Sequence, residues 1–279
     1  MLTRILTAIV AIAVFLPVLY FSHTPVFAAV LALLSLIAVL EMLRCVGLWR
    51  RFALTVPVCL TAAVLPLLPY WLARADMERA MVLAALALMI YAFAVMTFSK
   101  GKIKLEDASV ALTATVYVIA CFTALSVLRY GVNEGKYVYL ICFIGAWVTD
   151  TFAYFTGFLF GKHKLIPDVS PKKTVEGAVG GVVFCTIAFV GFGILYNKFW
   201  VAEGAAILPL WLMAVIGVLV SIVSQIGDLS LSLLKRKYGI KDFGKIFPGH
   251  GGVMDRFDSV LAVAIMLLVC FTTKSVFGL

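Results

Sequence analysis

Residues 206–231, AILPLWLMAVIGVLVSIVSQIGDLSL, are apolar over a length that crosses the hydrocarbon core as a helix, for which about 20 residues suffice. The same stretch holds Ser221, Ser224, Gln225 and Asp228, and Ser232 and Lys235 follow it. Their spacings of 3, 4 and 7 put these side chains on one face at 3.6 residues per turn. A polar stripe on a membrane helix must face water or another polar helix. A carboxylate near the bilayer centre costs about 2.5–3.5 kcal/mol on insertion scales, so Asp228 requires a cation or a partner. A metal ion is one solution, and a structural ion pair with a lysine of a neighbouring helix is the other. The acidic cluster that follows the helix favours the metal.

The rest of the chain carries the same membrane signature. Of its 279 residues 64% are apolar and 13% charged, and the mean hydropathy is +1.11. That leaves too little polar surface to cover a soluble globule. Apolar runs can be drawn at 5–22, 25–43, 53–73, 80–99, 108–128, 137–160, 176–197, 206–231 and 257–273. Their length, and the absence of alternating segments of about ten residues, predict an all-α polytopic integral membrane protein with about nine transmembrane helices. The first run follows Arg4, and Val26-Phe27-Ala28 is loosely cleavage-like. Its apolar core exceeds that of a typical signal peptide, so it is read as a retained helix.

Loops 2, 4, 6 and 8 hold 16 Lys and Arg residues, whereas loops 1, 3, 5 and 7 hold 5. The positive-inside rule then puts the N-terminus and the even loops in the cytoplasm, and Leu279 on the far side of the inner (cytoplasmic) membrane. The net charge of +9 is therefore mostly a topology signal, with attraction to anionic lipid second. Basic residues scattered over short loops, without a recognition module, argue against nucleic acid. The six cysteines lie in or beside apolar runs with no CxxC spacing, and read as inert small hydrophobes.

Residues 1–135 are nearly featureless and read as scaffold helices. Glu41, well inside the second run, sits one turn from Arg44 and reads as half of an interfacial i,i+3 ion pair. Residues 136–279 hold the chemistry, in helices 6 and 8 and in the cytoplasmic loops 161–175 and 235–256.

Residues 232–258, SLLKRKYGIKDFGKIFPGHGGVMDRFD, join two basic clusters, a Gly-rich turn and the acidic cluster Asp255-Arg256-Phe257-Asp258. Carboxylates at i and i+3 share a helix face, and oxygen-only ligands suit Mg²⁺ bridging to substrate phosphates. Equally, Asp255 is a good N-cap and Asp258 would complement the helix dipole. Cations beside glycine-rich backbone are what a triphosphate and its metal require. His250 lacks a second histidine at ligand spacing, which argues against zinc and for phosphate contact or proton transfer.

A second constellation runs from Asp150 and Tyr154 through Gly157 and Gly161 to Ser170-Pro-Lys-Lys-Thr-Val-Glu-Gly177. Ser170 with Pro171 could cap a helical turn, and the lysines could simply hold the loop inside.

The order Ser232, Lys235, Arg236, Lys241, Asp242, Gly244, Pro248, His250, Gly251, Gly252, Asp255, Arg256, Asp258, together with the upstream Ser-Pro-Lys-Lys-Thr-x-Glu-Gly run, resembles the phosphatidate cytidylyltransferases, or CDP-diacylglycerol synthases. The likeness is specific over residues 140–260. It implies transfer of CMP from CTP to phosphatidic acid with Mg²⁺, a supplementary monovalent cation and a homodimer being left open. By motif position Asp228 and Asp255 correspond to the family's paired metal-binding aspartates, with Asp258 beside them. Lys235, Arg236, His250 and Arg256 join Asp228 and Asp255 as expected catalytic residues. Asp150, Ser170, Lys172, Lys173, Thr174, Glu176, Ser232, Lys241, Asp242, Gly251 and Gly252 are expected to bind substrate. A CTP-dependent lipid kinase and a transporter of an anionic metabolite are the rival classes. Polar groups gathered at one face, with no matching gate on the other, argue against the transporter.

The orientation is testable with single cysteines in a background lacking the native six. Those at Lys164 and Lys237 should react with an impermeant maleimide only after the inner membrane is opened, and one near Leu279 in sealed spheroplasts. Labelling of the two loops from opposite sides would overturn the assignment.

Overall fold

A computed structural model describes residues 2–100, 102–132, 135–200 and 208–272. Leu279, the first two residues of the run 206–231 and the last of the run 257–273 lie outside these residues. Among them the chain forms α1 (Leu2–Tyr20), α2 (Pro25–Cys45), α3 (Phe52–Val64), α4 (Arg74–Phe98), α5 (Leu105–Tyr130), α6 (Gly135–Phe160), α7 (Val175–Phe199), α8 (Leu210–Lys237) and α9 (Met254–Thr272). A two-stranded antiparallel hairpin, β1 (Lys164–Ile166) and β2 (Ser170–Thr174), separates α6 from α7. Seven segments of the described chain are long and apolar enough to cross a membrane, against the nine runs of the sequence. Those seven are α2, α3 with its continuation, and α4 to α8. α1 and the 3-10 turn that follows it offer a shorter apolar stretch, Ile9–His23, and α9 opens on the charged Asp255, Arg256 and Asp258.

The chain divides into two compact units, Met1–Lys136 with Lys237–Phe257, and Tyr137–Arg236 with Asp258–Leu279. In the first, α2 and α5 share the most extensive packing. Phe27, Leu31, Met42 and Leu43 of one helix, and Phe122, Leu125 and Leu128 of the other, are almost fully buried. Ala28 and Ala38 of α2, with Ala111 and Ala124 of α5, are buried completely and keep the two backbones close. α2 starts on a Thr24 cap whose hydroxyl accepts from the Val26 N–H (3.3 Å), with Pro25 in the first turn, where its missing donor costs nothing. The third apolar run is not one helix. α3 stops at Val64 and continues as a 3-10 segment, Leu65–Tyr70, because Pro66 and Pro69 cannot donate to an α-helical ladder.

In the second unit small residues set how closely the helices approach. A Cβ at Gly177 of α7 would lie 2.6 Å from the Ala153 carbonyl oxygen of α6, and one at Gly181 would lie 3.1 Å from that of Thr149. The Gly-x-x-x-Gly spacing on α7 thus meets Ala153 and Gly157 on α6. Phe152 and Phe184 stack above the crossing with centroids 4.0 Å apart. Segment 161–175, expected as a loop, holds the hairpin. Lys164 pairs with Thr174 and Ile166 with Ser170. With only two strands, both are edges, so Pro171 is tolerated.

Gly227 marks the contact of α8 with α9. A Cβ there would sit 2.6 Å from the Ala262 Cβ and 3.0 Å from the Asp258 carbonyl oxygen. Gly227→Leu should therefore overpack this crossing at a cost of about 1–3 kcal/mol. The measurement is thermal unfolding in detergent, and an unchanged midpoint would remove the crossing from the fold's requirements.

Candidate active site

In the first unit the chain between α8 and α9 forms a turn on glycine backbone. Gly249 and Gly251 have φ of 76° and 87°, the left-handed region that other residues avoid. The Phe247 N–H donates to the Gly251 carbonyl (2.9 Å) and the His250 N–H to that of Phe247 (2.8 Å). Two buried carboxylates fasten the loop. Asp255 Oδ2 accepts from the N–H groups of Phe243 (2.8 Å) and Gly252 (3.0 Å). Glu41 Oε1 accepts from the Val253 N–H (3.1 Å) and Oε2 from that of Met254 (2.9 Å). Four backbone donors, three of them at the start of α9, are thereby satisfied by acceptors that also suit the helix dipole.

Beside this loop lies an open cavity of about 660 Å³ lined by Lys241, Asp242, Gly244, Lys245, Phe247, Pro248, Gly249, His250, Gly251 and Arg256. Its cations and exposed turn suit a polyanion. The His250 Nδ1 has no hydrogen-bond partner among the described residues. At the loop's start, burial pushes the Tyr238 phenol above its ordinary pKa, with the negative charge of Asp107 adding to the shift, so Tyr238 stays neutral.

In the second unit the hairpin and α8 meet through charge. Lys173 Nζ lies 2.5 Å from Asp228 Oδ2, and the Ser232 hydroxyl donates to Asp228 Oδ1 (3.3 Å). Asp258 lies within electrostatic reach of Asp228, Asp150 and the buried Lys235. The Ser259 hydroxyl donates to Asp150 Oδ2 (3.0 Å), and Arg236 Nε donates to the Val169 carbonyl (3.4 Å). The upper part of the α8 stripe is spent on neighbouring helices. The Thr149 hydroxyl donates to Ser221 Oγ (3.1 Å), and the Gln225 amide donates to the Ala178 carbonyl (3.2 Å).

Several expected site residues have structural employment. Thr174 caps α7, its Oγ1 accepting from the Gly177 N–H (3.1 Å). Glu176 accepts from the His163 N–H (3.2 Å) and lies 2.7 Å from His163 Nδ1. Ser170 is the first residue of β2, not a helix cap, and Lys172 is exposed beside it. Gly252 is buried with its N–H given to Asp255, so of the two adjacent glycines Gly251 is the one that lines the cavity. Asp255 commits Oδ2 to the loop, and because it lies inside the first turn of α9 it is not the N-cap considered for it. Among the described residues no group of three or more His, Cys, Asp or Glu side chains lies close enough to hold one ion together.

Two residues were missed. Ser259 had no sequence signal. Glu41 did: it is the one carboxylate well inside the early apolar runs. It is 1% exposed and fastens backbone donors 212 and 213 positions away, with Arg44 a lesser electrostatic neighbour.

A model of the cytidylyltransferase family matches residues 2–273. The chain belongs to this family. It is 34% identical over 273 residues to the phosphatidate cytidylyltransferase of Staphylococcus haemolyticus, covering 96% of this chain and 97% of that one. The enzymes of that name from Staphylococcus saprophyticus and Staphylococcus epidermidis are each 36% identical, with the same coverage. The match takes in the N-terminal helices as well as the two polar loops. A multi-pass membrane protein is the form in which this cytidylyltransferase family member occurs.

The Lys173–Asp228 pair is about three-quarters buried on both sides. A double-mutant cycle with Lys173→Met and Asp228→Asn should give a coupling of about 1 kcal/mol in detergent unfolding, at the upper end for a partly solvated pair. Additive losses would mean that the two side chains do not interact.

Proposed function

We propose that this chain is a phosphatidate cytidylyltransferase, which transfers CMP from CTP to phosphatidic acid and releases pyrophosphate. Carrying this is the 34–36% identity, over 96% of the chain, to proteins bearing that name. A phosphate oxygen of the lipid attacks the α-phosphorus of CTP. The bond from that phosphorus to the β-phosphate bridging oxygen breaks, and pyrophosphate departs with the electron pair. No general base is needed, since a phosphate monoester with a second pKa of about 6 is largely deprotonated at neutral pH.

What the protein must supply is positioning and neutralisation of charge. In this proposal Lys241, His250, Arg256 and the Gly251 backbone hold phosphate in the first unit's cavity. Lys172, Lys173, Lys235 and Arg236 supply positive charge in the second unit. Magnesium keeps several waters and binds through one or two carboxylates and substrate phosphates, so Asp228 and Asp258 fit it without a third ligand. At Asp228 the ion would take the place of the Lys173 ammonium on Oδ2, whereas at Asp255 it would leave two backbone donors unpaired, so Asp255 is left out. When bound, the ion would neutralise phosphate charge. Residues 136–279 carry the chemistry in this proposal, and the N-terminus and both polar loops face the cytoplasm, where CTP is.

Labelled CTP tests the reaction. Label in the α-phosphate should enter the lipid, and label in the γ-phosphate should leave as pyrophosphate. Arrival of the γ-label in lipid would mean a kinase. Asp228→Asn, which removes a hard anionic ligand at almost constant volume, should lower turnover on the order of 10²-fold or more in a protein that remains membrane-inserted. Near-normal turnover at low Mg²⁺ would remove Asp228 from the metal proposal.

A further inference from the structure

Gly244 and Gly252 differ from the other glycines of the cavity loop. Gly249 and Gly251 need glycine because their φ is positive, whereas Gly244 and Gly252 have ordinary backbone angles. At both a Cβ would collide with the Glu41 carboxylate, and at Gly244 it would also lie 3.0 Å from the Gly252 Cα. That carboxylate also takes the N–H groups of Val253 and Met254. It therefore lies against two separate runs of the loop, at 244 and at 252–254, which bracket the cavity-lining Pro248, Gly249, His250 and Gly251. Asp255, its neighbour, joins the same two runs through Phe243 and Gly252.

From this we infer that Glu41 is a positioning residue for the cytidylyltransferase reaction proposed above, on which the inference rests. Its carboxylate holds the two runs of the loop at the spacing that aims His250 and the Gly251 backbone at the phosphates. Glu41 itself touches no substrate. A carboxylate is needed because two N–H donors converge on it, one to each oxygen. Glutamine offers a single acceptor oxygen and turns an NH₂ toward the second donor. Aspartate keeps both oxygens but falls one methylene short.

The experiment compares wild type, Glu41→Gln, Glu41→Asp, Gly252→Ala and the double variant Glu41→Ala/Gly252→Ala. Each is measured for kcat and KM with CTP, for unfolding in detergent, and for amide hydrogen exchange over residues 243–254. Glu41→Gln is expected to lower kcat/KM on the order of 10²-fold, as a displacement of about 1 Å at a reacting group does. It should also raise KM for CTP and speed exchange at 252–254, while Glu41→Asp recovers part of the loss. Gly252→Ala, whose Cβ would displace the carboxylate, should reproduce the defect, and the double variant, which lacks the carboxylate altogether, should show no recovery, so that the two losses are not additive. Unchanged kcat and KM in Glu41→Gln, with or without a lowered unfolding midpoint, would overturn the inference and leave Glu41 a structural residue. If Glu41→Gln does not fold, Gly252→Ala with wild-type kinetics overturns it instead. A wild-type protein that forms no CDP-diacylglycerol would sink the proposed activity. The exchange data then still judge the positioning, which fails if 252–254 are equally protected with and without the carboxylate.

Discussion

A buried backbone N–H or carboxylate in so apolar a chain has no water to fall back on, and each one left unpaired costs several kcal/mol in hydrocarbon. Helices solve this for the spans, but the segment between α8 and α9 is irregular, and its donors must be met one by one. Glu41 and Asp255 meet four of them. The two acids in turn gain the hydrogen bonds that make their burial tolerable. Loop shape and carboxylate burial are therefore one constraint, and the cavity with its lysines, His250 and Arg256 depends on it.

The same constraint operates in the second unit with a different partner. Asp228, on an apolar helix, is answered by Lys173 and Ser232, and Asp150 by Ser259. Lys173 reaches Asp228 because β2 runs directly into α7 and Thr174 closes that junction as the helix cap. Thr174 also packs against Gly157 and Gly161, where a Cβ would lie 2.8 Å from its side chain in each case. A tight helix contact made of small residues thus fixes a strand, and the strand delivers a charge. Serines and glycines that look passive in the sequence position the groups on which the chemistry depends.

How much was legible follows from the range of each interaction. The apolar runs, the polar stripe on α8 and the two motif segments were readable, because hydrophobic length and helical period are local properties. The family also followed from the motifs, and the match now extends over residues 2–273. The hairpin at 164–174 was not legible: two strands of three and five residues have no periodicity to detect. Nor was the 3-10 continuation of α3 anticipated, although Pro66 and Pro69 were the available signal. Asp255 was visible as an acid at a helix start, with ligand favoured over cap. The donors at Phe243 and Gly252 give it another use, since from inside the first turn of α9 it reaches back to the loop rather than capping the helix.

Glu41 shows where the boundary falls. Sequence alone determined that an acid sits inside an apolar run, and so that something must compensate it. Arg44, one turn away, was the nearest local answer. The partners are instead the N–H groups of Val253 and Met254, more than 200 residues on. Sequence fixes which groups cannot remain unsatisfied, because that is set by the transfer energy of each side chain. Only the tertiary structure decides which groups satisfy them, because hydrogen bonds act over about 3 Å and no local pattern records which distant backbone comes that close.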